Sequence, residues 1–128
     1  MFSKFKFRPI YIKIYKNRFI ICSPETKVCI KKTGNFSNQR LAIADFDLAE
    51  ILMREAIHEL FPKGTLFSSA PNITAVVQQF DLIEGGISQV ERRTIIDSCE
   101  HAGAKEVKII ESDKELSDEE VIKINNEL

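Results

Sequence analysis

The apolar residues of this chain change their spacing once, and that change limits the fold more than any other feature. In residues 9–15, PIYIKIY, the apolar Ile10, Ile12 and Ile14 alternate with Tyr11, Lys13 and Tyr15. A period of two belongs to a strand with one buried face. Lys16–Arg18 reads as a turn and Phe19–Ser23 as the returning strand. After a Pro-Glu-Thr turn, Lys27–Lys32 alternates again, with Val28 and Ile30 on one face. Three short strands on tight turns predict an antiparallel meander, followed by a loop over residues 33–40.

Beyond residue 46 the spacing becomes three-and-four. Asp47 is the expected N-cap of a first helix, with Glu50 as its reciprocal partner three residues on. Ala49, Leu52, Met53, Ala56, Ile57, Leu60 and Phe61 then form one apolar stripe, which Pro62 and Gly64 end. Residues 73–80, ITAVVQQF, are β-branched and mostly apolar, as in a strand covered on both faces. After Glu84-Gly85-Gly86, Ser88 and Glu91 make a second capping box. Ile95, Ile96, Cys99 and Ala102 face inward and Gly103 ends the helix. Residues 106–111 form a fifth strand, and a short last helix starts at Ser117, with Glu120 as its box partner. The order β-β-β-α-β-α-β-(α) predicts one α/β domain over residues 1–128, a mixed five-stranded sheet with helices on its faces and parallel strand-helix-strand steps. It is the order of the ribonuclease-H-like fold, the subdomain repeated in actin-like ATPases.

Net charge conceals an asymmetry. Residues 1–40 hold 10 Lys or Arg and one acid, a charge of +9, whereas residues 41–128 carry −10. Residues 1–8 are a basic, aromatic segment and residues 113–128 an acidic tail or helix. No apolar run approaches the ~20 residues of a membrane-spanning helix, and Lys4, Lys6 and Arg8 interrupt any secretory h-region. The three cysteines, Cys22, Cys29 and Cys99, show no CxxC spacing. Buried, reduced thiols in a cytoplasmic protein are therefore expected, rather than a disulfide or a zinc site.

One stretch goes further. Gln89-Val90-Glu91-Arg92-Arg93, Ala102-Gly103-Ala104-Lys105-Glu106-Val107 and Ile110-Glu111 resemble subdomain IA of the bacterial actin family that determines rod shape (MreB). Leu41–Asp47, LAIADFD, is similar to that family's approach to its first helix. The resemblance implies an ATPase frame, but the residues that would make it an ATPase differ. The family's first hairpin carries an Asp-Leu-Gly-Thr phosphate loop. Here Lys13-Ile14-Tyr15-Lys16 occupies that place, so a cation stands for the acid and a tyrosine for the glycine. Of the family's Glu-Glu-Pro, only Glu111-Ser112-Asp113 remains, and the second half of the nucleotide cleft is missing from the sequence. No nucleotide or other cofactor and no small-molecule substrate is expected.

Independent catalytic patterns are also missing: there is no Walker loop, G-x-G-x-x-G, H-E-x-x-H or G-x-S-x-G. Asp113, Asp118, Glu119 and Glu120 read as a solvated acidic face rather than a metal cluster. His58 and His101 have no adjacent nucleophile, and Cys99 reads as core. The expected function is a non-catalytic, MreB-like protein-interaction module of the cytoskeletal or cell-shape machinery, bound to a partner protein or to itself. Its candidate contacts are Lys13, Lys16, Arg18, Lys31 and Lys32 on the basic side, and Glu115, Asp118, Glu119 and Glu120 on the acidic side. The alternative is a peripheral module on an anionic inner membrane surface, through Phe2, Lys4, Phe5, Lys6 and Phe7 with Leu66 and Phe67. An ATPase half completed by another chain is a third reading. Nucleic acid is not expected, because acids would surround any groove and no recognition pattern appears.

Overall fold

The structure is a computed structural model that describes residues 7–62 and 72–127. Five strands, β1 (Arg8–Tyr15), β2 (Arg18–Cys22), β3 (Cys29–Thr33), β4 (Ile73–Gln79) and β5 (Ala104–Ile109), form one sheet in the order β3-β2-β1-β4-β5. β1 pairs antiparallel with β2 and β2 with β3, whereas β1, β4 and β5 run parallel. The architecture is thus α/β with a mixed five-stranded sheet, as expected. Helices α1 (Phe46–Leu60) and α2 (Gln89–Ala102) cover one face, and α3 (Asp118–Asn126) covers part of the other.

The main core lies under α1 and α2. Ile10, Ile12 and Ile14 of β1, Phe19 and Ile21 of β2, and Ile73, Ala75 and Val77 of β4 meet Ala49, Met53, Ala56 and Ile57 of α1 and Ile95, Cys99 and Ala102 of α2. The three-and-four stripes produce this contact. Ser98, absent from the expected stripe, is also buried, and its hydroxyl donates to the Thr94 carbonyl at 2.8 Å. The supposed loop after β3 contributes Phe36, which is fully buried and stacked on Phe19 with centroids 4.2 Å apart.

Local chemistry sets the helix ends. Ser88 and Glu91, and Ser117 and Glu120, form the two expected capping boxes. Gly103, at φ 125°, ends α2 in a conformation that other residues rarely adopt. The first helix differs from expectation. Asp45, not Asp47, is its N-cap and accepts from the Leu48 amide at 3.1 Å. Asp47 lies in the first turn, where a carboxylate favours the positive end of the helix dipole.

Two further expectations are corrected. β1 is not half-buried: Ile10 through Ile14 are all buried, Tyr11 and Lys13 included. The strand lies in the middle of the sheet, and α3 with the segment before it covers the face that should have met water. Nor are all three thiols reduced. Cys22 and Cys29 stand opposite each other on β2 and β3, with Cα atoms 4.0 Å apart, and are joined by a disulfide. Their spacing in sequence carries no such signal, because only the register of the two strands brings them together. Cys99 remains a buried thiol, as expected. Burial pushes it up to about 12, which makes it unreactive.

Candidate interaction surface

Residues paired across a sheet share a face, so the register sorts the second face into rows. Cys29, Cys22, Tyr11, Val76 and Lys108 form one row. Lys31, Ile20, Lys13 and Gln78 form the next. Thr33, Arg18 and Tyr15 form a third, where Phe80 stacks on Tyr15 with centroids 5.4 Å apart. Helix α3 covers the first row, placing Val121 against Tyr11 and Val76. Lys108 donates to the Ile124 carbonyl at 2.8 Å, and Asn125 donates to the Phe7 carbonyl at 2.9 Å.

A hydrogen-bond network crosses the second row. The Tyr11 hydroxyl donates to the Gln78 side-chain oxygen and accepts from the Leu116 amide at 3.0 Å. The Gln78 side-chain nitrogen donates to the carbonyls of Ser112 at 2.8 Å and Lys114 at 2.7 Å. Burial above all pushes the Tyr11 phenol up to about 12, with the Glu115 carboxylate adding to the shift. Lys13 lies beside this network with its ammonium 3.0 Å from Glu115 and 5.4 Å from the Tyr11 ring centroid.

The five expected basic contacts thus divide. Lys13 is consumed by Glu115 inside the molecule and is buried, which corrects its place as an exposed contact. Lys32 points to the opposite face, where it pairs with Glu59 and Glu55 of α1. The hydrogen bond from Lys32 to Glu59 raises its pKa. The charged groups of Lys16, Arg18 and Lys31 make no ion pair among the described residues. Lys16 sits in the β1–β2 turn, where its backbone amide donates to Asp81 at 2.8 Å. The Arg18 guanidinium lies 4.2 Å over the Tyr15 ring. Its Nε is buried with no hydrogen-bond partner among the described residues.

The expected acidic contacts divide as well. Besides Glu115, Asp118 is held by Lys27 at 2.9 Å, a hydrogen bond that raises the lysine pKa. Glu120 is spent on its capping box, and Glu119 is exposed. Of the membrane-contact residues, Phe2, Lys4, Phe5, Lys6, Leu66 and Phe67 lie outside the described residues, and Phe7 is half-buried. The phosphate-loop positions Lys13, Tyr15 and Lys16 hold an ion-paired cation, a stacked ring and a turn cation.

Where the parallel strands end there is a cleft of about 210 Å³, lined by Gln79, Ile83, Gly86, Ile87, Glu111, Ser112 and Asp113. Glu111 is ion-paired with Arg92, and the Gln79 side-chain nitrogen donates to the Asp81 carbonyl at 2.9 Å. No group of three or more potential metal ligands converges among the described residues, and no helix among them is long and apolar enough to cross a membrane.

The geometry of this surface can be set beside known proteins. No protein-family model matches the chain. A protein of Escherichia coli (strain K12), described as the uncharacterized protein YjaA, is 36% identical over 88 residues, which cover 67% of this chain and 69% of that protein. The chain belongs to the YjaA family. The kinship with YjaA brings no activity with it, so function rests on the surface itself.

Sequence reading had named Arg18, Lys16 and Lys31 but missed what organises them. The Phe80–Tyr15–Arg18 stack joins residues from two strands and the end of a third. Its trace in sequence is an aromatic residue at the end of β1, Tyr15, and another just after β4, Phe80.

Proposed function

We propose that the chain is a non-catalytic protein-interaction module that takes an acidic partner surface at the corner formed by Lys16, Arg18 and Lys31. The observation that carries this reading is the Arg18 guanidinium, stacked on Tyr15 and without an acid among the described residues. A stacked guanidinium keeps its planar fork in one orientation and loses less freedom when it binds a carboxylate. Tyr15 already stacks with Phe80 and Arg18, which favours a carboxylate partner over stacked nucleic-acid bases.

The sheet order, with β1, β4 and β5 parallel and β2 reversed, supports a ribonuclease-H-like, actin-type frame. The resemblance of residues 88–111 to the rod-shape actins makes an acidic surface of a filament-forming or cell-shape protein the first partner class to try. The engagement of Glu111 by Arg92 supports a non-catalytic reading of the cleft.

Fluorescence anisotropy with a dye-labelled peptide rich in Asp and Glu tests the site, with a thymidine oligonucleotide and anionic vesicles as comparison ligands. Arg18→Ala is expected to weaken peptide binding by about tenfold, the scale of a charge-assisted hydrogen bond. Arg18→Lys should restore only part of it, and Lys32→Ala, on the other face, should leave it unchanged. Equal losses for Arg18→Ala and Lys32→Ala would reduce the site to diffuse charge.

A further inference from the structure

We propose that Cys22 and Cys29 form a reversible thiol–disulfide site whose oxidation state sets how firmly residues 112–126 cover the second face of the sheet. The inference does not depend on the identity of any partner.

The disulfide sits where the sheet is least supported. Among the described residues β3 is an edge strand with β2 as its one neighbour, and the bond joins the pair of residues at the end of their ladder. Beyond it, residues 23–28 turn back on a few hydrogen bonds, from Ser23 N to Val28 O at 2.9 Å and from Lys27 N to Ser23 O at 2.8 Å. The two cysteines are unequal. Cys29 is exposed and Cys22 is buried, so a reductant approaches from the Cys29 side.

Two routes lead from this bond to the covering segment. Lys27, inside the clasped loop and held at φ 66°, places its ammonium 2.9 Å from Asp118, the first residue of α3. Cys22 is also paired in register with Tyr11, whose hydroxyl accepts from Leu116 just before α3. The covering itself is light. Val121 is its one fully buried apolar side chain, with Leu116, Ile110 and Ile124 partly buried around it. Two polar atoms beneath or within it, Thr74 Oγ1 and Asn125 Oδ1, are buried without a partner among the described residues. A segment with few apolar contacts and orphaned polar atoms opens at lower cost than the main core.

The chemistry is ordinary thiol exchange with an external dithiol. Its thiolate attacks the exposed Cys29 sulfur, the S–S bond breaks, and Cys22 leaves as a thiolate. The second thiolate of the reductant then attacks its own sulfur in the mixed disulfide and releases Cys29. Two electrons pass from the dithiol to the cysteine pair, one disulfide replaces the other, and the two protons given up by the dithiol end on the cysteines. The freed loop then holds Lys27 less firmly against Asp118.

Hydrogen exchange on the full chain, with and without a dithiol, tests the proposal, together with thiol counting by alkylation after denaturation. Before reduction one thiol should be labelled, and after it three, in line with one free cysteine and one bonded pair. Reduction should speed exchange in residues 112–126 by about fivefold, the upper range for losing a surface ion pair, while α2 changes little. Lys27→Ala with the disulfide intact should produce a similar local increase. Three thiols before reduction would overturn the proposal. So would equal exchange in the two states, an equal rise in α2, or a Lys27→Ala variant whose covering segment exchanges like the wild type.

Discussion

Lys13 and Glu115 meet at 3.0 Å although 102 residues separate them in the chain. The lysine side chain is only 11% exposed, while the carboxylate is 60% exposed. The contact is one of several in which the basic first third of the protein mates with its own acidic remainder. Lys27 with Asp118 and Lys32 with Glu55 and Glu59 do the same. A charge split that reads in sequence as complementarity between molecules is therefore closed in part within one, and Lys16, Arg18 and Lys31, among the cations left over, mark the candidate surface.

The Lys13–Glu115 pair should respond unequally to removal of its members. Glu115→Gln leaves an ammonium at a buried position and is expected to cost about 1 kcal/mol, limited by the solvent that reaches the carboxylate. Lys13→Met, which removes the charge and keeps an apolar stem, should stay within about 1 kcal/mol of the wild type. Urea unfolding of the two variants checks the asymmetry, and a Lys13→Met loss larger than that of Glu115→Gln would contradict it.

Gln78 fastens the segment after β5 to the sheet through two hydrogen bonds and accepts a third from the Tyr11 hydroxyl. Gln78→Leu fills the same space but leaves the Ser112 and Lys114 carbonyls without their Gln78 donor and the Tyr11 O–H without its acceptor. A destabilisation of about 2–3 kcal/mol is expected. Tyr11→Phe, which removes a single hydroxyl, should cost less. Chemical denaturation measures both.

The alkaline limb of stability should carry the signature of Tyr11. Its folded pKa of about 12 lies above the ordinary 10.0, so the folded state holds the phenol proton more tightly than the unfolded chain. The associated stability is complete below pH 10 and is lost as pH rises toward 12. Lys27 and Lys32, also raised, lose their contributions in the same direction above their ordinary range. Thermal melts from pH 8 to about 12 should show a decline that is shallower in Tyr11→Phe than in the wild type.

Phe36 lies in a stretch without regular structure yet should behave as core. Its ring is fully buried against Phe19, so Phe36→Ala is expected to cost about 3–5 kcal/mol. Ile51, 48% exposed on α1, should tolerate alanine within about 0.5 kcal/mol.

These residues show where sequence reading succeeds and where it stops. The caps at Ser88 and Ser117 were legible because each box closes over three residues, within the reach of local pattern. The apolar stripes of α1 and α2 were legible for the same reason. Phe36, Lys13 and the Cys22–Cys29 bond were not, because each depends on strand register or on a segment returning from a distant part of the chain. The candidate surface was half legible. Arg18 and Lys31 could be named as basic, but only the fold separates them from Lys13 and Lys32, which carry the same charge and are already paired.

The most direct measurement is a nitrogen-15 NMR titration of the full chain with the Asp- and Glu-rich peptide, at low and then at high salt. The amides of Tyr15, Lys16, Arg18, Lys31, Thr33 and Phe80 should shift together in a saturable way, and the shifts should collapse as salt screens the contact. Arg18→Lys should reduce the shifts at Tyr15 and Phe80 while the molecule stays folded. Shifts centred on Lys32 and α1, or none at the Arg18 corner at any peptide concentration, would contradict the assignment of this surface.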